Sequence, residues 1–424
     1  MKKYDLIVVG GGLAGVAAAI SAAREGLAVF LVEQTGCLGG AMSNSLVYPF
    51  MGYAVTLPGE GRKILSEGIF REMRCRACGN QENTQAVPLH DFSPEAFKFA
   101  LDDMVTEAGV KVLFHATLVK VRAEGRQIKT VILATKQGEL EVEADYFIDA
   151  SGDGDLMAFA GCEFQLGREQ DGFCQPMTTC FRMANVDTEQ VNNQTMAEVD
   201  RRYKQLQREG KITNPRENVL WFKGAGLGSN VLHFNTTRVV RCDPTDPFSL
   251  SEAEMIARRQ VREMVEFLKQ EDFPMFRNAV LVSVASSIGI RESRKLKGVH
   301  ILTADELMKP MHFEDTIALG NYPIDIHNPD GSGTDIRKLP PGTYYTIPYR
   351  CMLPKEFDNL LVSGRCISAT HEAQSAFRIM PTCAALGQAA GMAAALAKKT
   401  ANTMHTLNVQ VLREMLRKKG AVID

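Results

Sequence analysis

The chain opens on a short apolar run, Tyr4 to Val9 (YDLIVV), that ends in three consecutive glycines, Gly10 to Gly12. From Leu13 to Glu25 it is rich in alanine, the strongest helix former, and Gly26 supplies a natural stop. A second apolar run, Ala28 to Val32, closes at Glu33. Short continuous apolar runs read as strands buried on both faces. The pattern therefore predicts strand, glycine turn, helix and strand within about 30 residues, the size of a βαβ unit.

Further along, Ser93 to Ala108 is predicted helical, with Ser93 as cap, Pro94 at the first helical position and Glu95 behind it. Val110–Phe114, Thr117–Ala123, Lys129–Lys136 and Glu139–Val142 alternate as strands of a meander, with a turn at Gln137-Gly138. Asp145 to Ala150 is a further buried strand. From about Gln165 the pattern becomes mixed α+β, with long loops and a helix over Ser251–Lys269. From about Tyr349 it returns to a buried strand, Asn359–Ser363, and a helix over Thr382–Ala397. The expected fold class is α/β: a discontinuous Rossmann-type domain from residues 1–165 and 350–424, interrupted by a mixed α+β substrate domain over 166–349.

Composition narrows the class. A length of 424 residues exceeds what one hydrophobic core usually covers, which fits two domains. With 45% hydrophobic and 23% charged residues and a net charge of -2, the chain carries no electrostatic footprint for nucleic acid or an anionic membrane. Ten cysteines are scattered without a disulfide-framework spacing, which suits reduced thiols in the cytoplasm. Met1-Lys2-Lys3 before apolar residues imitates a secretory leader, but Asp5 and the three glycines interrupt the apolar core such a leader needs. The small-residue run Ala384–Ala397 contains Gly387, Gln388 and Gly391 and falls short of the roughly 20 apolar residues of a membrane span. It is expected to be a buried helix.

The spacing Gly10-x-Gly12-x-x-Gly15 carries the first chemistry. Gly10 makes the tight turn, Gly12 lets backbone amides approach a pyrophosphate, and Gly15 lets the helix pack on the strand, with Leu13 and Ala14 in its first turn. The unpaired amides and dipole of a helix N-terminus favour negative charge there. Glu33, at the end of the second strand, is placed to accept from ribose hydroxyls. That acid favours a free 2′-hydroxyl over a 2′-phosphate and argues against NADP. These residues alone do not separate FAD from NAD.

Later segments do. Gly39-Gly40, Asp149-Ala-Ser-Gly-Asp-Gly-Asp155 and Ser363-Gly-Arg-Cys-Ile-Ser-Ala-Thr370 resemble the FAD-dependent oxidoreductases with a glutathione-reductase-like FAD domain. So do Ile290–Arg294, Tyr322–His327 and Arg378–Ala384. The resemblance spans most of the chain, weakens between about Asn185 and Asn218, and implies FAD as cofactor. Ser151, Gly152 and Asp153, following a buried strand, suit a backbone passing close to the cofactor. Gly364 and Arg365 open a small-residue loop, and a helix starting after Pro381 is placed to stabilise charge on the flavin, with Arg378 beside it.

A disulfide reductase of this kind needs a cysteine pair after Glu33, where Cys37 stands alone. Cys75-x-x-Cys78 has metal-site spacing but no second pair to complete one, so no metal is expected and a solvated loop is. For catalysis the candidates are His371 with Glu372, His327 with Asp325, and Arg378; a histidine beside a carboxylate suits proton abstraction during hydride loss. Arg291, Arg294, His233 and Asn235 are candidates for binding carboxylate or sugar oxygens. The expected activity is hydride transfer between flavin N5 and the CH–OH or CH–NH carbon of a small polar metabolite. The partner is then a small-molecule substrate, with homo-oligomerisation left open. Two alternatives remain: an electron-transfer component such as the flavin subunit of heterodisulfide reductase, whose iron–sulfur cysteine clusters are missing here, and a flavin-binding subunit without turnover.

Overall fold

The computed structural model describes residues 3–79, 89–270, 273–309 and 311–424. Strand β1 (Lys3–Val9) is the centre of five parallel strands. On one side lie β2 (Val29–Val32) and Lys111–Leu113; on the other lie Gly138–Asp149 and Leu360–Val362. Alternation along β1 feeds two cores. Leu6 and Val8 pack with helix α1 (Leu13–Arg24) on one face, and Ile7 and Val9 with the meander on the other.

The meander is Thr117–Glu124, Gln127–Thr135 and the first half of Gly138–Asp149. Two predicted strands, 139–142 and 145–150, are thus one of 12 residues. No glycine or proline breaks it, and Glu143 pairs with Thr130 on one side and Lys3 on the other, so the two ladders share a continuous backbone. The helix Pro94–Glu107 has its predicted cap, Ser93 accepting from the Ala96 amide. The helix predicted from Ser251 starts at Pro247, since proline in a first turn forfeits no hydrogen bond.

The long helix Met380–Thr400 packs on α1 through its two glycines. A Cβ on Gly387 would stand 2.0 Å from the Ala14 carbonyl oxygen, and one on Gly391 2.1 Å from that of Ala18. The helix is long and apolar enough to cross a membrane by composition, yet its apolar window is mostly buried inside the protein. The small residues serve helix-on-helix contact, which lays the first turn of α1 beside the start of the long helix.

Residues 181–284 form a second layer. Its four antiparallel strands run in the order Trp221–Phe222, Leu232–Phe234, Phe181–Ala184, Val280–Val284. Helices Asn193–Arg208 and Pro247–Gln270 back this sheet around Phe181 and Phe234, stacked at 4.7 Å. His327 and Asp325 fall within the region after Gln165 where long loops are expected, but they are on a strand. They lie on strand Ile324–His327, paired with Thr334–Arg337.

Candidate active site

The parallel strands end at a cleft of about 510 Å³. Gly10 leaves β1 at φ +102, and a Cβ there would stand 2.3 Å from the Ala150 carbonyl oxygen. Gly15 permits the helix to approach, since a Cβ on it would meet the Gly10 oxygen at 1.8 Å. Gly12 differs: the nearest atom to its hypothetical Cβ is Gly40 Cα at 3.9 Å, so the protein itself has no need of glycine there. The open space belongs to the cleft. No side chain caps α1 at Gly12, so the first-turn amides keep their capacity for an anion. Uncapped amides beside a bare backbone are what a dinucleotide pyrophosphate requires.

Leu13, Ala14, Glu33, Gly39 and Gly40 line the cleft together with Ser151, Gly152, Asp153, Gly364 and Arg365, and Arg378 and Arg294 also reach it. Glu33 is 5% exposed. It accepts from the Gly11 amide at 2.7 Å and from the amide and hydroxyl of Thr35 at 2.8 Å, so it holds the glycine turn as well as facing the cleft. Asp153 joins three segments, accepting from Ser293 Oγ at 2.6 Å and Arg365 Nη2 at 2.7 Å. The guanidinium of Arg294 donates to Asp155 at 2.9 Å. Arg294 thus braces the acidic loop at the lining of the cleft.

His371, Glu372, His327, Asp325, Arg291, His233 and Asn235 do not line this cavity. His371 begins the helix His371–Phe377, and its carboxylate partner is not the adjacent Glu372 but Glu292. The Nδ1–H donates to the two Glu292 oxygens at 2.7 and 2.8 Å. Glu292 is fully buried, held at 2.5 Å by Lys295 Nζ and at 3.0 Å by the Gln175 amide. Burial works to raise its carboxyl, but His371 and Lys295 together keep it below the ordinary range. With Nδ1–H committed, the imidazole keeps its Nε2 lone pair.

His327 has the reverse tautomer. Its Nδ1 accepts from Arg238 Nη2 at 2.9 Å, with Arg216 Nη1 at 3.4 Å and the Thr334 hydroxyl at 3.2 Å. Its Nε2 side faces Asp325 at 3.6 Å. Burial and nearby Arg291 push its pKa down to about 3. An imidazole whose one lone pair is taken by cations does not serve as a base, so His327 drops out of that role. His233 is fully buried against Tyr48, ring centroids 5.5 Å apart, without a protein partner for either nitrogen. Burial and Arg182 push it down to about 3, and it packs in the core beside Tyr48. Asn235 accepts from Arg291 at 3.5 Å.

Both depressed histidines predict a pH effect. The unfolded chain protonates them near 6.5 and the folded chain near 3, so below 6.5 the unfolded state binds more protons and stability falls as pH falls. Between pH 7.5 and 5.5, His233→Phe should lose less stability in urea unfolding than wild type, by on the order of 1 kcal/mol. Equal losses would show that His233 is not held neutral.

Cys75 lies buried in the helix Ile69–Ala77, and Cys78 follows at its C-cap, a correction of the expected loop. No cluster of three or more metal-binding side chains occurs among the described residues. Cys75→Ser/Cys78→Ser should keep its flavin and lose roughly 1 to 2 kcal/mol of stability, from burial of the Cys75 hydroxyl. Stoichiometric metal released by the change would contradict this.

A glycine-cornered pyrophosphate cradle at the carboxyl ends of parallel strands, with a β-meander and a second layer, defines a dinucleotide-dependent redox protein. The sequence profile described as FAD dependent oxidoreductase matches residues 5–416, and the chain belongs to that family, with FAD as its cofactor. No curated protein matches it in sequence. Among solved structures, a geranylgeranyl bacteriochlorophyll reductase-like protein of Thermoplasma acidophilum is 13% identical (TM-score 0.48), the match covering 99% of this chain and 84% of that one. A flavoprotein/dehydrogenase of Cytophaga hutchinsonii is 13% identical (TM-score 0.46; 98% and 83%). The p-nitrophenol 4-monooxygenase of Pseudomonas putida is 10% identical (TM-score 0.45; 98% and 81%). Likenesses this distant carry no argument about the reaction.

Proposed function

We propose that this oxidoreductase moves a hydride between FAD and the CH–OH or CH–NH carbon of a small polar metabolite. The observation that carries the reading is the buried Glu292–His371 pair, which leaves a proton-accepting nitrogen next to segments that line the cleft. Bound FAD supplies the two-electron acceptor. The chain supplies the rest. Glu292 orients the imidazole, and Nε2 of His371 takes the proton of the substrate O–H or N–H as the carbon gives up its hydride. One hydride and one proton leave, and a carbonyl or imine forms. Arg378, lining the cleft and reaching Asp325 at 3.8 Å, connects the cofactor space to residues of the substrate domain proposed over 166–349. The chain is proposed to act in the cytoplasm.

The test is product analysis. Anaerobic turnover of hydroxy acids, sugar acids and amino acids with an artificial electron acceptor should give one carbonyl, trapped as a hydrazone, per two electrons received. Reduction of the flavin by NADH or NADPH alone, followed in air by a hydroxylated product, would overturn the proposal.

A further inference from the structure

Four guanidinium groups, from Arg216, Arg238, Arg291 and Arg378, converge around Asp325 and His327. We propose that this cluster is the binding site for a carboxylate-bearing substrate, a 2-hydroxy or 2-amino acid with a second anionic group. The inference rests on the hydride-transfer reading above and names its substrate class.

The cations outnumber the anions that face them. Asp325 and Glu217 are the carboxylates within the cluster, and the Tyr322 hydroxyl already takes one Asp325 oxygen at 2.9 Å. Arg238, 1% exposed, meets Glu217 at 3.0 Å. It also shares the His327 Nδ1 lone pair with Arg216, two cationic donors on one neutral acceptor. The other two are held loosely on this side. Arg378 reaches the Asp325 carbonyl at 3.4 Å and its carboxylate at 3.8 Å, and Arg291 reaches Asn235 at 3.5 Å. The firm contacts of Arg291, to the Pro176 carbonyl and the Thr178 hydroxyl, involve one nitrogen, Nη1.

Unbalanced positive charge away from water is costly: burial, with repulsion from neighbouring arginines behind it, lowers Arg291 to about 9 and Arg238 to about 10. A bound dianion supplies the missing charge, and the planar guanidinium fork matches a carboxylate in two-point contact. Location completes the argument. Arg378 lines the FAD cleft, and Arg291 directly follows cleft-lining Ile290. A carboxylate seated here places its neighbouring carbon toward the cofactor space.

The test titrates FAD-loaded protein at constant ionic strength with oxalate, malonate and succinate, and with the corresponding neutral diamides. Binding is read from the flavin absorbance and from thermal stabilisation. At least one dicarboxylate should perturb the flavin spectrum saturably and the diamides should not. Arg291→Met should weaken that binding at least about tenfold, the loss expected for one charge-assisted hydrogen bond. Asp325→Asn, nearly isosteric, should strengthen it by removing one of the competing anions, an outcome that misfolding does not produce. Equal effects of diamide and dicarboxylate, or Asp325→Asn leaving affinity unchanged, would overturn the site. The two proposals fail separately: flavin bleached by neutral alcohols or amines independently of Arg291 leaves hydride transfer standing without this site. Dicarboxylate binding without reduction by any hydroxy or amino acid leaves the site standing without the reaction.

Discussion

His371→Ala should slow anaerobic reduction of the bound FAD by about two to four orders of magnitude, the usual contribution of a positioned general base. Reoxidation by an artificial acceptor should be nearly unchanged, because the imidazole acts only while the substrate loses its proton. Glu292→Gln should reproduce part of the defect, since a neutral amide accepts from Nδ1–H more weakly than a carboxylate and its NH2 can face the ring instead, leaving the tautomer unfixed. It also leaves Lys295 buried without its counter-charge, so a stability loss of about 3 to 5 kcal/mol should accompany it. His327→Ala should behave differently. Its ring accepts from Arg238 and is no base, so the change should raise KM more than it lowers kcat. Stopped-flow reduction of the three variants separates these outcomes. If His327→Ala slows reduction as much as His371→Ala does, the assignment drawn from the two tautomers is wrong.

Gly12→Val should abolish FAD binding while leaving the chain folded. Gly12 has φ -67 and ψ 176, extended backbone that valine adopts without strain, and its Cβ would meet only Gly40 Cα at 3.9 Å. The added methyls would instead fill the space where the pyrophosphate lies against the first-turn amides. Purified Gly12→Val should be colourless, with circular dichroism matching wild type stripped of its flavin. Gly10→Ala is the control: its Cβ is driven into the Ala150 oxygen at a positive φ, so the fold itself should suffer. Full flavin occupancy in Gly12→Val would place the pyrophosphate elsewhere.

The contrast between Gly12 and His371 shows what was legible before the structure. The cofactor half rests on local rules: glycines at a strand–helix turn, an acid at the next strand end, and apolar runs of buried-strand length. Each acts within about 30 residues, so spacing alone states the geometry. Hydrogen bonds of the substrate half join residues far apart. Glu292 and His371 are 79 residues apart, and Arg238 and His327 are 89. No periodicity encodes such a pairing, and the adjacent Glu372 offered a false partner for His371. Arg216 and Arg238 are buried, and nothing local in the sequence marks an arginine as buried. Glu292 lies between Arg291 and Arg294 in sequence, and nothing in that run marks it as the partner of a histidine 79 residues on. The strand carrying His327 was missed because Tyr322-Pro-Ile-Asp-Ile-His327 has one proline and two charged or polar positions within six residues.

The central claim is that hydride from a substrate carbon reaches FAD in this cleft, and the reductive half-reaction tests it most directly. Wild-type protein is mixed anaerobically in a stopped-flow instrument with the hydroxy or amino acid that bleaches the flavin fastest, once unlabelled and once deuterated at C2. The oxidised flavin band should be lost completely, by two electrons. Reduction should be slower with the deuterated acid, because the C–H bond breaks in that step. Bleaching at the same rate with both isotopologues, or a flavin reduced by NADH or NADPH and by none of these acids, would contradict hydride transfer from the acid.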